Sequence, residues 1–244
     1  MRTKKVKALL WIFLLLSMIT GCNKSIASNE LSVNRDFTIT IENPFDISRF
    51  SKKQIEESQT VFGQASMNYD IRTKEEMIKS SETIVKCVVK NVTFTVKGAI
   101  PFVVADVQIL DSLKGNYLKG DLISIITQNG YMTLQQEVDA NDNAFRFPDT
   151  TKEEREKILI QKKIDPGPYP EIGEEYVLFL EEQEGFGGAL CIVNEHEGRY
   201  KLQNNNTYKR FWSFDDLMEK NPTDTGLSSF TCETLKEEIK KHTN

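Results

Sequence analysis

The chain has 244 residues, with 31 Lys and Arg against 36 Asp and Glu, for a formal charge of −5. That length suits one large domain, or one domain with flanks, and is short for two α/β lobes. An acidic surface repels nucleic acid and anionic polymers, so no nucleic-acid partner is expected.

The chain opens on a cationic head, Arg2, Lys4, Lys5 and Lys7, with no acidic residue. Ala8 to Leu16 is unbroken apolar, and Ser17, Met18 and Ile19 extend the run to 12 residues. This is the length of a signal-peptide core and too short to span about 30 Å of hydrocarbon as a helix. The piece Ile19-Thr20-Gly21-Cys22 that follows resembles the lipobox of bacterial lipoproteins. The resemblance implies transfer of a diacylglyceryl group to the Cys22 thiol, cleavage before it, and a palmitate-type acylated N-terminus. A thiolate is nucleophilic enough to take the lipid, and two acyl chains hold where one is marginal. Residues 1–21 are therefore expected to be a lipoprotein signal peptide. Their removal leaves 223 residues and brings the charge from −5 to −9. Anionic headgroups repel such a surface, so acyl chains rather than charge would hold the protein. The expected location is the cell membrane, lipid-anchored on its extracytoplasmic face.

Residues 22–70 read as a tether and N-terminal flank. Residues 23–30 are mostly small or polar, as a tether requires. F-T-I-T-I at 37–41 alternates like a short strand before Asn43-Pro44 breaks it, and residues 51–61 suit a short helix. Thr73, with Glu76 three residues on, forms a capping box that opens the helix E-E-M-I-K-S.

A β-barrel domain is expected over residues 71–210. In S-E-T-I-V-K-C-V-V-K-N-V-T-F-T-V, residues 81–96, Val85, Cys87 and Val89 share one face. Val92, Phe94 and Val96 share a face of the opposite parity. Since one residue of slip moves every side chain to the other face, a β-bulge or bend is predicted near Lys90-Asn91. Residues 102–110 form a second strand with Val103, Ala105, Val107 and Ile109 on one face. The turn L-K-G-N-Y-L-K-G follows, with Gly115 and Gly120 able to take positive φ. Strands at 121–127 and 131–135 flank Asn129-Gly130, which reads as a hairpin turn.

Residues 139–148 read as a polar loop, and 151–163 as a helix whose main apolar contacts are Ile158 and Leu159. D-P-G-P-Y-P then excludes helix and central strand. E-Y-V-L-F-L at 175–180 is a buried strand, G-F-G-G turns into A-L-C-I-V, and R-Y-K-L-Q at 199–203 alternates again. Residues 211–244 form a C-terminal helical flank. One helix follows Ser213, capped toward Asp216, and an amphipathic one runs from Cys232 to Lys241. The order strand, strand, strand, helix, strand, strand is that of the OB-fold. The expected fold is mainly β with flanking helices (α+β), an OB-like, five- to seven-stranded, partly open barrel.

The segments S-E-T-I-V-K-C-V-V-K-N-V, A-D-V-Q-I-L-D-S-L-K-G, G-E-E-Y-V-L-F-L and E-G-R-Y-K-L together resemble uncharacterised lipoproteins of Gram-positive bacteria. Their core is similar to netrin-like OB barrels, which the tissue inhibitors of metalloproteinases also carry. The resemblance covers about residues 70–205 and implies a barrel without assigning any functional residue. In those inhibitors an N-terminal cysteine chelates the target's zinc within a disulfide-stapled ridge. Here that cysteine would be lipidated and distant from the barrel, so inhibition is not carried over.

After Cys22 only Cys87, Cys191 and Cys232 remain, an odd number without C-x-x-C spacing. Cys87 and Cys191 sit in apolar strand-like segments, where buried thiols are preferred over a disulfide between them. His196, between Glu195 and Glu197, offers metal-ligand types. Neighbours on a strand point to opposite faces, however, so a polar turn is the preferred reading. His242 sits near a helix C-terminus, where a cation suits the dipole. Asp139, Asn141 and Asn143 echo a calcium loop, but Ala144 and Thr150 stand where the EF-hand needs Gly and Glu. A weak calcium contact stays open. Tyr208, Phe211, Trp212 and Phe214, among Lys209 and Arg210, could stack a sugar or peptide, though packing a helix onto the barrel is preferred.

No catalytic residue, cofactor or metal ligand is assigned, and no enzyme is expected. The expected function is a non-catalytic, membrane-anchored module that binds an unknown protein or small ligand. OB barrels often bind through the strand 2–3 face, here near Gln136 to Pro148 or the L-K-G turn. Two alternatives stand beside it: a metal-dependent enzyme using Glu195, His196, Glu197 and loop carboxylates, and a structural component of an envelope complex.

Overall fold

Alternating apolar residues run through two long neighbouring segments, and these set the architecture in the computed structural model. It describes residues 35–62, 73–163, 169–182, 184–194, 197–210 and 229–243. In chain order, strand β1 (Asp36–Phe37) precedes a short helix α1 (Lys52–Glu56) and β2 (Gln59–Phe62). Helix α2 (Lys74–Ser80) leads into β3 (Thr83–Lys97), β4 (Ile100–Lys114) and β5 (Leu122–Thr127). An insert follows, made of β6 (Gly130–Thr133), α3 (Leu134–Asn141), α4 (Lys152–Arg155) and β7 (Leu159–Lys163). The chain continues through β8 (Glu175–Glu182), β9 (Leu190–Ile192), β10 (Arg199–Leu202), β11 (Tyr208–Arg210), β12 (Ser229–Phe230) and α5 (Cys232–Thr243).

Five strands close a ring in the order β3-β4-β5-β9-β8, back to β3. All pairs are antiparallel except β5–β9, which is parallel. Numbered along the barrel this is 1-2-3-5-4, an OB-like topology, and the parallel β5–β9 pair closes a barrel expected to be partly open. The protein is thus α+β and mainly β. Val85, Cys87 and Val89 of β3 point inward with Ala105, Val107, Ile109, Ile123, Ile125 and Leu178, as period-two alternation requires. On the outer face, α2 and α5 lay Met77, Ile78, Leu235 and Ile239 over Ile84, Val177 and Phe179. Leu235 and Ile239 lie one turn apart on the amphipathic helix that the sequence predicts. The box at Thr73 is formed, its hydroxyl accepting from the Glu76 N–H and its own N–H donating to the Glu76 carboxylate.

The predicted bulge is present. The β3–β4 register slips between Val89 and Asn91, leaving Lys90 exposed. The extra residue keeps one inner face continuous. Val92 joins the barrel interior, while Phe94 and Val96 pass to a second core with Phe45, Phe50, Tyr131 and Leu159. That core lies against a separate three-stranded sheet, β2-β7-β6. Its rings meet edge to face, Phe94 lying 5.3 Å from Tyr131 and 5.6 Å from Tyr169, the geometry favoured by aromatic quadrupoles.

Three expectations are corrected here. Asn129-Gly130 is not a hairpin turn, because β5 and β6 belong to different sheets. A type I′ turn needs positive φ at both residues, and Asn129 does not take it. Gly130 instead permits close approach: a Cβ there would lie 3.2 Å from the Phe102 N and O. The strand at 131–135 ends at Thr133, whose capping box with Gln136 starts α3, so the polar loop at 139–148 begins as helix. The helix over 151–163 is one turn. Thr151 and Glu154 cap it, but from Leu159 the chain pairs with β2 and β6, and tertiary pairing overrides local propensity. Leu159 is buried as expected, whereas Ile158 is exposed.

The N-terminal flank departs similarly. The strand expected at 37–41 is only β1, and the helix at 51–61 stops at Glu56 before β2 pairs parallel with β7. The helix expected after Ser213 lies outside the described residues.

Candidate functional site

The outer face of β4 and β5, the surface OB barrels commonly use, carries Phe102, Val104 and Ile126. The chain itself covers it. β1 pairs parallel with the start of β5, and Pro44 bridges to Thr95 on β3, so the segment between them crosses β4. Along the way Ile39 and Ile41 pack on Phe102, Val104 and Ile126. The Ile39 N–H donates to the Ser124 Oγ at 3.0 Å, and the Ser124 hydroxyl donates to Asp106 at 2.6 Å. The other Asp106 oxygen accepts from Asn91 Nδ2 at 3.0 Å. Phe186, from the turn between β8 and β9, meets the Phe102 ring at 4.9 Å. Lys97 lies 4.4 Å over Phe186 and donates to the Gly185 carbonyl. This closes the face with the chain's own apolar and polar groups. Beside it, the β3–β4 tip at Ile100 and the turn at 184–188 remain exposed. Beyond α3, Phe145 is 75% exposed with Arg146 beside its ring.

Two ionic clusters lie at the barrel ends. At one, Glu174 accepts from the Lys201 ammonium, the Tyr176 hydroxyl and the Glu171 N–H. Burial pushes the Glu174 carboxyl up, but these donors outweigh it and hold the group below its ordinary range. Burial, followed by the Glu174 contact, raises the Tyr176 phenol. Tyr208 is raised in the same way, by burial and then by its hydrogen bond to Glu175. Glu175 is also paired to Lys86 at 3.0 Å. Phenols shifted in this direction stay protonated donors near neutrality and do not serve as bases.

At the other end Asp121 is fully buried. Arg35 grips it through Nη2 at 2.5 Å and Nε at 3.1 Å, while the Leu118 and Arg35 N–H groups donate at 2.8 and 3.0 Å. Burial pushes this carboxyl up, yet the Arg35 and backbone donors leave it lowered overall. Gly115 and Gly120 take φ of 99° and 96° in this turn, as predicted, and a Cβ on Gly115 would meet Thr83 Oγ1 at 2.9 Å.

The candidate residues from the sequence do not gather into one site. Cys22, Glu195, His196, Phe211, Trp212, Phe214 and Asp216 lie outside the described residues. Glu197 accepts from Asn194 at 3.1 Å and lies 3.9 Å from Arg210, bracing the turn into β10. Asp139 accepts from Gln135, Asn141 donates to the Glu137 carbonyl, and Asp142 is a left-handed cap at φ 49°. Among the described residues no group of three or more His, Cys, Asp or Glu could hold a metal ion.

His242 links α5 to α2, 3.8 Å from Glu75. Tyr208 packs inward against Phe230, while Lys209 is exposed. Cys87, Cys191 and Cys232 stand as thiols; Cys87 is buried as expected and burial pushes its pKa up, whereas Cys191 is only half-buried, its thiol meeting Glu181 at 3.5 Å. Sequence reasoning missed the Arg35–Asp121 clamp, whose partners are 86 positions apart with no local signal. It also missed Phe186, although the G-F-G-G turn could have marked it. The chain matches no family model, no curated protein and no solved structure.

Proposed function

We propose that the chain is a lipid-anchored protein of the extracytoplasmic face of a cell membrane, serving as a non-catalytic binding module. The observation that carries this is the cationic head and 12-residue apolar run that end at Ile19-Thr20-Gly21-Cys22. A diacylglyceryl-bearing Cys22 holds the protein to the bilayer, and the residues before Arg35 tether the barrel. Support for binding rather than turnover comes from the barrel. Its interior is filled by side chains that are aliphatic apart from Cys87 and Tyr176, so recognition falls to the loops. The β3–β4 tip around Ile100 and the turn at 184–188 are the loops that OB barrels commonly use. The partner is a protein or small ligand, since a formal charge of −9 after processing opposes nucleic acid.

Mass spectrometry of protein taken from host membranes tests the reading. The expected result is a mature N-terminus at Cys22 carrying two ester-linked acyl chains, with Cys22→Ala yielding only unprocessed, unacylated chain. An unmodified Cys22 overturns it.

A further inference from the structure

We propose that the barrel end around Arg35 is a membrane-facing surface, seated on lipid by Phe37 and Leu118; this rests on the anchoring at Cys22 proposed above. Phe37 is 41% exposed and Leu118 is 57% exposed. They form one patch. Tyr117 meets the Phe37 ring edge-on at 5.3 Å, and Arg35 covers the same ring at 5.1 Å. Arg35 also donates to the Asn116 carbonyl at 2.9 Å, while the Leu118 N–H is held by Asp121. The fully buried Asp121 therefore fixes both apolar side chains on a rigid base.

Position selects lipid as the occupant. Thirteen residues, 22–34, precede Arg35, a contour of about 45 Å at full extension. β1 lies beside the start of β5, directly after the turn that follows Lys114. From that end the 15 residues of β3 rise about 50 Å to the hairpin tip. The Arg35 end is where the segment from Cys22 enters the described fold, and the tip lies a strand's length farther from that entry.

Charge contributes little, because Arg35 is paired to Asp121 and the exposed Lys119 is offset by Asp36. The contact is apolar, with the Lys119 stem able to reach phosphates at the rim. Two partly exposed side chains are too few to hold a protein on lipid unaided. On a chain already tethered, the local concentration is high enough for them to set orientation.

Leu118→Trp and Phe145→Trp report the two ends, Phe145 lying on the hairpin-tip side, where Lys162 joins Ala99 to α3 through Glu137. Each variant is compared with the parent chain on phosphatidylcholine–phosphatidylglycerol vesicles with brominated acyl chains. One arm carries the acylated chain. The other holds residues 23–244 on nickel-chelating lipid through a histidine tag in place of Cys22. The expected result, in both arms, is several-fold stronger quenching of the Leu118→Trp emission than of Phe145→Trp. Equal quenching at the two positions on chelating lipid overturns the membrane-facing surface, whatever Cys22 carries. A Cys22 lacking acyl chains in the mass spectrum overturns the anchoring reading instead.

Discussion

The closed barrel and the three-stranded sheet β2-β7-β6 share one hairpin, yet they are stabilised in different ways. The barrel interior is mainly aliphatic, with Tyr176 its one fully buried ring among the described residues; Val85, Val107 and Leu178 are shut off completely, and ring closure leaves no open edge within it. The small sheet has two edge strands, β2 and β6, and an aromatic core in which Phe45 stacks on Phe50 and Phe94 meets Tyr131 edge to face. Local capping boxes at Ser51, Thr133 and Thr151 start the helices beside it. A period-two pattern specifies the first region. Short caps and aromatic contacts between distant segments specify the second.

Deleting Lys90 and Asn91 together breaks the comparison most severely, because Val92 then follows Val89 directly and the phase of the strand beyond it reverses. Val92, Phe94 and Val96, all half-buried, would turn outward and uncover the buried partners they pack on, where each fully buried side chain is worth about 1.5–3 kcal/mol. The expected loss is roughly 5 kcal/mol or more, close to the whole stability of a domain, so calorimetry should show no cooperative transition. An unchanged transition would mean that the bulge does not join the two cores.

A paired truncation sharpens the contrast. Leu178→Ala empties the sealed interior, with an expected loss of about 3–5 kcal/mol and faster exchange of every core amide. Leu159→Ala should cost about 2 kcal/mol and release chiefly the amides of β6 and β7, with β3 and β8 still protected. Equal, global effects in hydrogen exchange would merge the two regions into one cooperative unit.

The smallest effect concerns the Arg35 clamp. Asp121→Asn should destabilise by about 1–3 kcal/mol near neutral pH. The folded-state pKa of Asp121 lies below the ordinary 3.8, and that of Glu174 below 4.5. A lowered carboxylate pKa gives stability that is complete above the unfolded value and is lost as pH falls through the folded one. The melting temperature of the parent chain should therefore drop below about pH 4.5, with a shallower drop in Asp121→Asn. Identical acid limbs would remove Asp121 from the account.

What could be read in advance follows the same division. Val85, Cys87 and Val89 against Val92, Phe94 and Val96 announce both the barrel strand and its bulge, because side-chain parity is written in neighbouring positions. Thr73 with Glu76 and the glycines at 115 and 120 are equally local. β2 and β7 were not legible as strands, since Thr60 pairs with Gln161 and neither segment alternates strongly alone. The box Thr133-Leu134-Gln135-Gln136 was present in the sequence and signals α3, but the preceding strand residues masked it. Of the candidate site, the alternation at 37–41 was visible. That Ile39 and Ile41 would lie across β4 instead of joining a sheet depends on partners over sixty positions away.

Tension entering the described fold from its N-terminal side meets the Arg35 fork on Asp121 before any hydrogen bond of the ring. Next in line are the two rungs of β1 on β5 and the single Ile39–Ser124 link, a load path that runs over the barrel instead of through it. Under a steady pull this strap yields ahead of the ring, and the five-stranded closure keeps its shape while the outer layer peels.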